Sequence, residues 1–395
     1  MTRRALIIIT LILFGVTAMP SFSQVTDGAD ALTRLFEEGP GALSSTSQFE
    51  AAVAQAQLEQ ILGQITGQLG AFTTVEGTRS PYTVVFEEGT ATTHISLDGE
   101  GRVAGLQFTE LIPTAGTLEQ AIERVEQLQG ERSLLIRRDG EVIQARRENE
   151  PMAVGSSFKL AVLAAVDHSV DGGSLSWGRA VELEESWKSL PSGILQDWPE
   201  GTSITIETLA TLMISISDNT ATDALISIVG REAVERHAPD SVPFLTTAEA
   251  FRLKNPANDH LLSEYRAGST DERRAVLERL SGRPLPDASL FAGGPVAPDV
   301  EWFMSTTEVA DLIERLEYLD LLTVNPGLAR RSAWDRVAYK GGSEPGIMNL
   351  TTALTAADGT RYTVSLTVNR EDAALDEPAI FAAYQAILQA LRNDE

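Results

Sequence analysis

A chain of 395 residues, 43% of them hydrophobic, is long enough to build two buried cores. Its formal charge of −25, spread along the chain and not gathered in runs, reads as a solvated acidic surface and argues against nucleic acid or an anionic membrane as partner. The sequence contains no cysteine, which excludes disulfides, thiolate metal sites and a lipid-attachment cysteine.

Met1 to Ser23 reads as a signal peptide: Arg3 and Arg4 start it, Ala5 to Val16 form an apolar core, and Ser21-Phe22-Ser23 is a small-x-small cleavage site. The apolar stretch is too short to span a bilayer, so the expectation is an exported protein, periplasmic or extracellular, without a stable membrane anchor. Residues 24–112 predict a small α+β domain. Helical spacing covers Asp30 to Glu38 and Ser47 to Leu62, the latter with Phe49, Val53, Leu58, Ile61 and Leu62 on its apolar face. Strand alternation follows at Tyr82 to Phe86, Thr90 to Leu97 and Val103 to Thr109, with Asp98-Gly99-Glu100-Gly101 turning the last pair. His94, alone among these strands, has no partner that would make it a site.

Residues 113–116 are the predicted linker, and residues 117–395 the second domain. An amphipathic helix is predicted for Thr117 to Gln129, then a hairpin of Ser133 to Arg137 and Glu141 to Ala145 around Asp139-Gly140. A buried helix runs from the Ser156 turn to near His168. Thr205 to Ile216 and Asn219 to Val229 are two more helices, the second closed by Gly230. Shorter helices are expected at Thr247 to Leu253, Asp259 to Tyr265 and Thr270 to Leu280, and Ser305-Thr306-Thr307-Glu308 is a capping box for a helix to Leu319. Strands Arg336 to Lys340, Ile347 to Thr355 and Arg361 to Asn369 precede a helix from Asp376 to Leu391. With strands at both ends and helices between, one antiparallel sheet must be assembled from the two ends, with the helical block beside it.

Ser156 and Lys159 stand three apart at the start of the buried helix, which puts a hydroxyl and an amine on one face, one turn apart. A serine hydroxyl becomes a good nucleophile when a neighbouring base takes its proton, and a lysine serves when burial or a second cation lowers its pKa. The chain has only four lysines, Lys159, Lys188, Lys254 and Lys340. Ser217-Asp218-Asn219 follows 61 residues after Ser156 (217 − 156), and Lys340-Gly341-Gly342-Ser343 another 123 on (340 − 217). Alone, the first of these is most often a helix N-cap and the second a strand end. Ser-x-x-Lys, Ser-Asp-Asn and Lys-(Thr/Ser/Gly)-Gly in this order resemble the three-part signature of penicillin-recognising serine hydrolases, with the first spacing close to that of class A β-lactamases.

The resemblance covers residues 117 to 393 and implies a β-lactamase/transpeptidase-like α+β domain: an antiparallel five-stranded sheet flanked by helices, plus a mostly helical subdomain. It implies Ser156 as nucleophile, Lys159 as its base, Ser217 as proton shuttle to the leaving group and Asn219 as support for Lys159 and the substrate amide. Lys340 would lower the Lys159 pKa and attract a substrate carboxylate. Gly341 and Gly342 would let substrate lie along the strand, and the backbone N–H groups of Ser156 and Ser343 would form the oxyanion hole. The helices-then-meander order of residues 24–112 resembles the cone-shaped ketosteroid-isomerase-like modules fused to some secreted hydrolases, an accessory domain with a possible protein partner.

One departure stands out. Class A β-lactamases carry Glu-x-x-Leu-Asn between the second and third motifs, and its glutamate activates the deacylating water. Residues 231–258 contain Glu232, Glu235 and Glu249 but no such string. Neither Gly-x-Ser-x-Gly nor His-Glu-x-x-His occurs, and His168 and His237 lack a paired acid at triad spacing, so no Ser-His-Asp triad, catalytic metal or cofactor is implied. Three readings follow: a hydrolase of β-lactams, an esterase or D-alanyl-D-alanine peptidase on the same scaffold, and a β-lactam- or peptidoglycan-binding protein whose acyl-enzyme is the endpoint.

Overall fold

The computed structural model describes residues 28–87, 89–113 and 116–393. The predicted signal peptide, and Thr114 and Ala115 of the predicted linker, lie outside the described residues. Among the described residues no helix is long and apolar enough to cross a membrane. The chain divides into two compact units: described residues up to Ala121 together with Gln385–Asn393, and Ile122–Tyr384.

The first unit opens with α1 (Gly28–Glu38), α2 (Ser47–Ala52) and α3 (Gln55–Leu69). The single helix expected from Ser47 is two, because Val53 and Ala54 turn extended and Ala54 becomes the N-cap of α3. An antiparallel meander of β1 (Phe72–Glu76), β2 (Tyr82–Phe86), β3 (Gly89–Leu97) and β4 (Val103–Pro113) follows. The sequence pattern did not reveal β1, since a register shift between Phe72 and Thr74 breaks its alternation. Pro113 is still paired with Gly89, so β4 reaches into the predicted linker. Leu32, Leu35, Leu58, Leu62, Leu69, Val84 and Phe86 make the core, and the Phe36 ring stacks on Phe72 and meets Phe86 and Phe108 edge-on. His94 is exposed on β3.

After α4 (Leu118–Gln127), the second unit builds β5 (Glu131–Arg138) and β6 (Glu141–Arg146). Asp139 and Gly140 both take positive φ (49° and 82°), as a two-residue hairpin turn requires. The short β7 (Met152–Ala153) leads to a single helical turn, Gly155–Phe158, and α5 (Lys159–Asp171). Two strands invisible to pattern reading, β8 (Ala180–Glu182) and β9 (Ser203–Thr205), pair with each other. Next come α6 (Ile206–Ser215), α7 (Asn219–Val229), α8 (Arg231–Glu235), α9 (Thr247–Leu253), α10 (Asp259–Ala267) and α11 (Thr270–Leu280). The two-residue β10 (Phe303–Met304) pairs with β7. The predicted capping box at Ser305 and Glu308 is present and starts α12 (Thr306–Leu316). Then follow β11 (Arg336–Glu344), β12 (Ile347–Thr355), β13 (Arg361–Asn369) and α13 (Glu377–Asn393).

The main sheet is five-stranded and antiparallel in the order β11-β12-β13-β5-β6, so the strands of both ends meet where β13 pairs with β5. The predicted assembly from two ends is what forms. β12 and β13 are buried almost end to end, as strands covered on both faces must be. On one face α12 packs against β5, β12 and β13, with Ser133 Oγ 2.8 Å from Thr306 Oγ1. On the other, Tyr384 Oη of α13 lies 2.8 Å from Thr352 Oγ1 and donates to Val364 O. Beside the sheet, Leu160 to Val166 of α5 are at most 1% exposed and fill the centre of the helical block with Leu209, Met213 and Leu225.

Candidate active site

Three elements deliver the three motifs to one place. β7 and β10 hold the chain entering the Gly155–Phe158 turn, where Val154 N donates to Trp302 O and the Phe158 ring stacks on Trp302 at 3.8 Å. Ser156 lies in this turn, three residues before the α-helix that the spacing placed it in; α5 itself begins at Lys159. Of the two adjacent serines, Ser157 is fully buried and its hydroxyl has no hydrogen-bond partner, whereas Ser156 is half-buried and reaches solvent.

Lys159 is fully buried, and its ammonium donates to Ser217 O (2.6 Å), Ser217 Oγ (2.9 Å) and Asn219 Oδ1 (2.7 Å). The second motif is shaped for this. Asp218 caps α7, accepting from Ala221 N, and also accepts from Ile194 N and Leu195 N of the neighbouring loop. Ser217 takes φ 58°, left-handed and strained for a serine, and this aims both its carbonyl and its hydroxyl at Lys159. Asn219 donates to Leu190 O, which leaves its side-chain oxygen for Lys159. Sequence reading missed this supporting loop; its members carry no motif of their own.

Lys340 of β11 donates to Ser217 Oγ at 3.3 Å and to Gly341 O. The pair of lysines thus brackets one hydroxyl. Burial lowers Lys340 to about 7. Burial, followed by the Lys340 charge, holds Lys159 well below the usual ammonium range, against the opposing pull of Asp223, Asp218 and Glu344.

β11 runs on through the glycine pair to Glu344, held by pairing with β12 (Gly341 with Leu350, Gly342 with Asn349, Ser343 with Met348). The sequence suggested a strand ending near Lys340, because two glycines weaken any strand signal. Gly342 is there because nothing larger fits: a Cβ would stand 2.1 Å from Val154 O, 2.5 Å from Ser156 N and 2.6 Å from Ser157 N. From the other side, a Cβ on Gly155 would meet Ser343 N at 3.2 Å. The strand and the serine turn therefore touch backbone to backbone, with the amides of Ser156 and Ser343 across the contact. At Gly341 a Cβ would collide with the Tyr339 hydroxyl.

Glu249 and Glu235 of residues 231–258 are otherwise engaged. Glu249 completes the capping box of α9 with Thr246 and pairs with Arg231 at 2.7 Å. Glu235 pairs with Arg274 at 2.6 Å and accepts from Phe244 N. Glu232 lines a surface hollow with Arg231, Arg236 and Arg274. Asp223 of α7, which sequence reading passed over, is buried and accepts from Thr247 N (2.7 Å) and Ala248 N (2.9 Å); burial raises it to about 7. His237 lies in the turn after α8, lowered to about 4 by burial and then by Arg315 and Arg236. Among the described residues no group of three or more histidine and carboxylate side chains could hold a metal ion.

Residues 117–240 match the family described as Beta-lactamase enzyme family. No curated protein matches the chain. Among solved structures, an ancestral class A β-lactamase is 17% identical with a TM-score of 0.50, covering 70% of this chain and 99% of that one. A β-lactamase from Sphaerobacter thermophilus is 21% identical with a TM-score of 0.48, over 69% of this chain and 95% of that one. A β-lactamase from Chitinophaga pinensis is 18% identical with a TM-score of 0.48, over 70% and 98%. The chain carries the β-lactamase/transpeptidase-like fold, an α+β architecture of antiparallel sheet and helices.

Proposed function

We propose that the protein is a serine hydrolase of the class A β-lactamase type, opening the ring of a β-lactam through a Ser156 acyl-enzyme. The observation that carries this is the buried Lys159 amine, hydrogen-bonded to Ser217 and Asn219 and placed beside Lys340, where burial and then the Lys340 charge hold its pKa well below the usual ammonium range. Ser156 Oγ attacks the lactam carbonyl carbon as its proton passes to Lys159 Nζ. The oxyanion lies between the N–H groups of Ser156 and Ser343. When the C–N bond breaks, Ser217 Oγ donates a proton to the nitrogen and is resupplied by a lysine ammonium. Lys340 also meets the substrate carboxylate, and the glycine edge of β11 receives the substrate backbone.

Hydrolysis of the acyl-enzyme needs a base for water, worth about a hundredfold to ten-thousandfold. Glu249 and Glu235 are each tied to an arginine, and Asp223 to the backbone donors of α9, which supports slow deacylation. A penicillin should give a burst of product equal to enzyme, then a slow steady state, while small activated esters should turn over faster. Stopped-flow hydrolysis with no burst and a turnover of hundreds per second would rule this out. The same observation favours the second reading, an esterase or D-alanyl-D-alanine peptidase that penicillin traps, or a β-lactam- or peptidoglycan-binding protein at the limit of no deacylation. A panel of esters, D-Ala-D-Ala peptides and β-lactams separates them.

Export after cleavage near Ser23, and a ketosteroid-isomerase-like accessory role for residues 24–112, belong to the same proposal. The separate core of the first unit supports the latter. A chain beginning near Thr114, with α13 intact, should fold and still acylate; a chain that fails to fold would show that residues 24–112 are not a separable domain.

A further inference from the structure

Three ionisable side chains outside the proposed chemistry cluster together, two of them buried and the third partly so. Lys254 closes α9, Glu301 lies just before β10 and Glu344 ends β11. Lys254 Nζ pairs with Glu301 Oε1 and lies 3.0 Å from Glu344 Oε2. The side chains of Lys254 and Glu301 are 2% and 0% exposed, and that of Glu344 24%. Such a cluster is poor evidence for stability, because apolar residues of similar volume usually serve a fold as well or better. Its position offers another account.

Glu344 directly follows Ser343, and strand alternation puts it on the same face of β11 as Lys340 and Gly342. That is the face pressed against the Ser156 turn. Lys254 sits at the far end of the helix whose first turn is held by Asp223, four residues beyond Asn219. One helix therefore runs between the second motif and the end of the third. Glu301 Oε2 is buried with no donor to accept from. Burial, and then the Glu344 charge, push the Glu301 carboxyl well above its usual range. Burial alone would raise Glu344, but the Lys254 charge 3.0 Å away outweighs it and holds the carboxyl below its usual range.

We propose that Lys254, Glu301 and Glu344 form a buried clasp that holds the Gly342–Ser343 segment of β11 opposite the Ser156 turn and sets the Glu344 charge toward Lys159. They are positioning residues, and the inference rests on Ser156 and Lys159 being the acyl-transfer centre. The charged groups acting on Lys159 are Lys340 on β11, which drives its proton off, and Asp218 and Asp223 on α7 with Glu344 on β11, which retain it. Neutralising Glu344 removes one retaining charge, so Lys159 should lose its proton at lower pH.

The test uses the full chain and a fluorophosphonate probe, with the labelling rate at Ser156 recorded against pH. Lys254→Met should slow acylation about tenfold to a hundredfold through misplacement of the oxyanion strand. Glu344→Gln should slow it too and move the acidic limb of the profile to lower pH, and Glu344→Asp should recover most of both. The triple variant Lys254→Met, Glu301→Leu, Glu344→Met strands no charge. It should keep its melting temperature yet label at least tenfold more slowly. A triple variant that folds and labels at the wild-type rate, or a Glu344→Gln profile superposing on wild type, would overturn the clasp. A wild-type Ser156 that takes no label would overturn the acyl-transfer reading, and the clasp with it.

Discussion

Ser156→Ala should abolish labelling by a penicillin, a boronate or a fluorophosphonate, while Ser157→Ala should retain it. Ser157 is fully buried and its hydroxyl has no hydrogen-bond partner among the described residues, whereas Ser156 reaches solvent from the turn that faces Gly342 and the Ser343 amide. Loss of an activated nucleophile removes several orders of magnitude in rate, of which only the share due to binding and the oxyanion hole persists. The check is intact-mass measurement over time with each variant. Label that survives Ser156→Ala would end the assignment of the nucleophile.

Lys340→Met should make the protein more stable and nearly inactive at once. Lys340 is 3% exposed and sits at about 7 in the folded chain, against about 10.4 for a lysine in solvent. The unfolded chain thus binds the extra proton between about pH 7 and pH 10.4, and stability rises with pH across that window. Below pH 7 the full penalty is present, on the order of 4 kcal/mol. Methionine has no charge to desolvate, so the variant should melt higher than wild type at pH 6, with the advantage shrinking as pH approaches 10. Acylation should fall by about two or more orders of magnitude, since Ser217 loses its second donor and Lys159 its cationic neighbour. Chemical denaturation at pH 6 and pH 9.5 measures the first effect. A variant less stable than wild type at both pH values would contradict the account of Lys340 as a buried, readily neutralised base.

The eight residues singled out from the sequence are brought together around the Ser156 turn and the β11 edge, and the reason is local. Asn219 caps nothing itself but follows the Asp218 cap, Lys340 follows a clean strand pattern, and the Ser156 turn opens an apolar helix. The five-stranded sheet was legible for the same reason, since the Asp139-Gly140 and Asp358-Gly359 turns lie between alternating or wholly apolar runs. What stayed hidden was non-local. β7 and β10 are two residues each and exist only through each other, and β8 needs β9. The break at Val53–Ala54 interrupts a run whose apolar spacing continues straight through it. The Lys254–Glu301–Glu344 cluster joins positions with no shared motif; its one sequence trace is that Lys254 belongs to a set of only four lysines.

The meeting of β13 with β5 has a consequence for the timing of activity. When a growing chain has emerged as far as α7, it already contains Ser156, Lys159, Ser217 and Asn219, but neither the Lys340 cation nor the Ser343 amide. In that state Lys159 lacks the Lys340 charge that opposes its proton, and on the proposed mechanism the oxyanion would have one donor instead of two. Within the sheet, β11 is joined to β5 only through β12 and β13. If Ser156 is the nucleophile proposed, the partners that activate it lie on a strand made well after the serine itself.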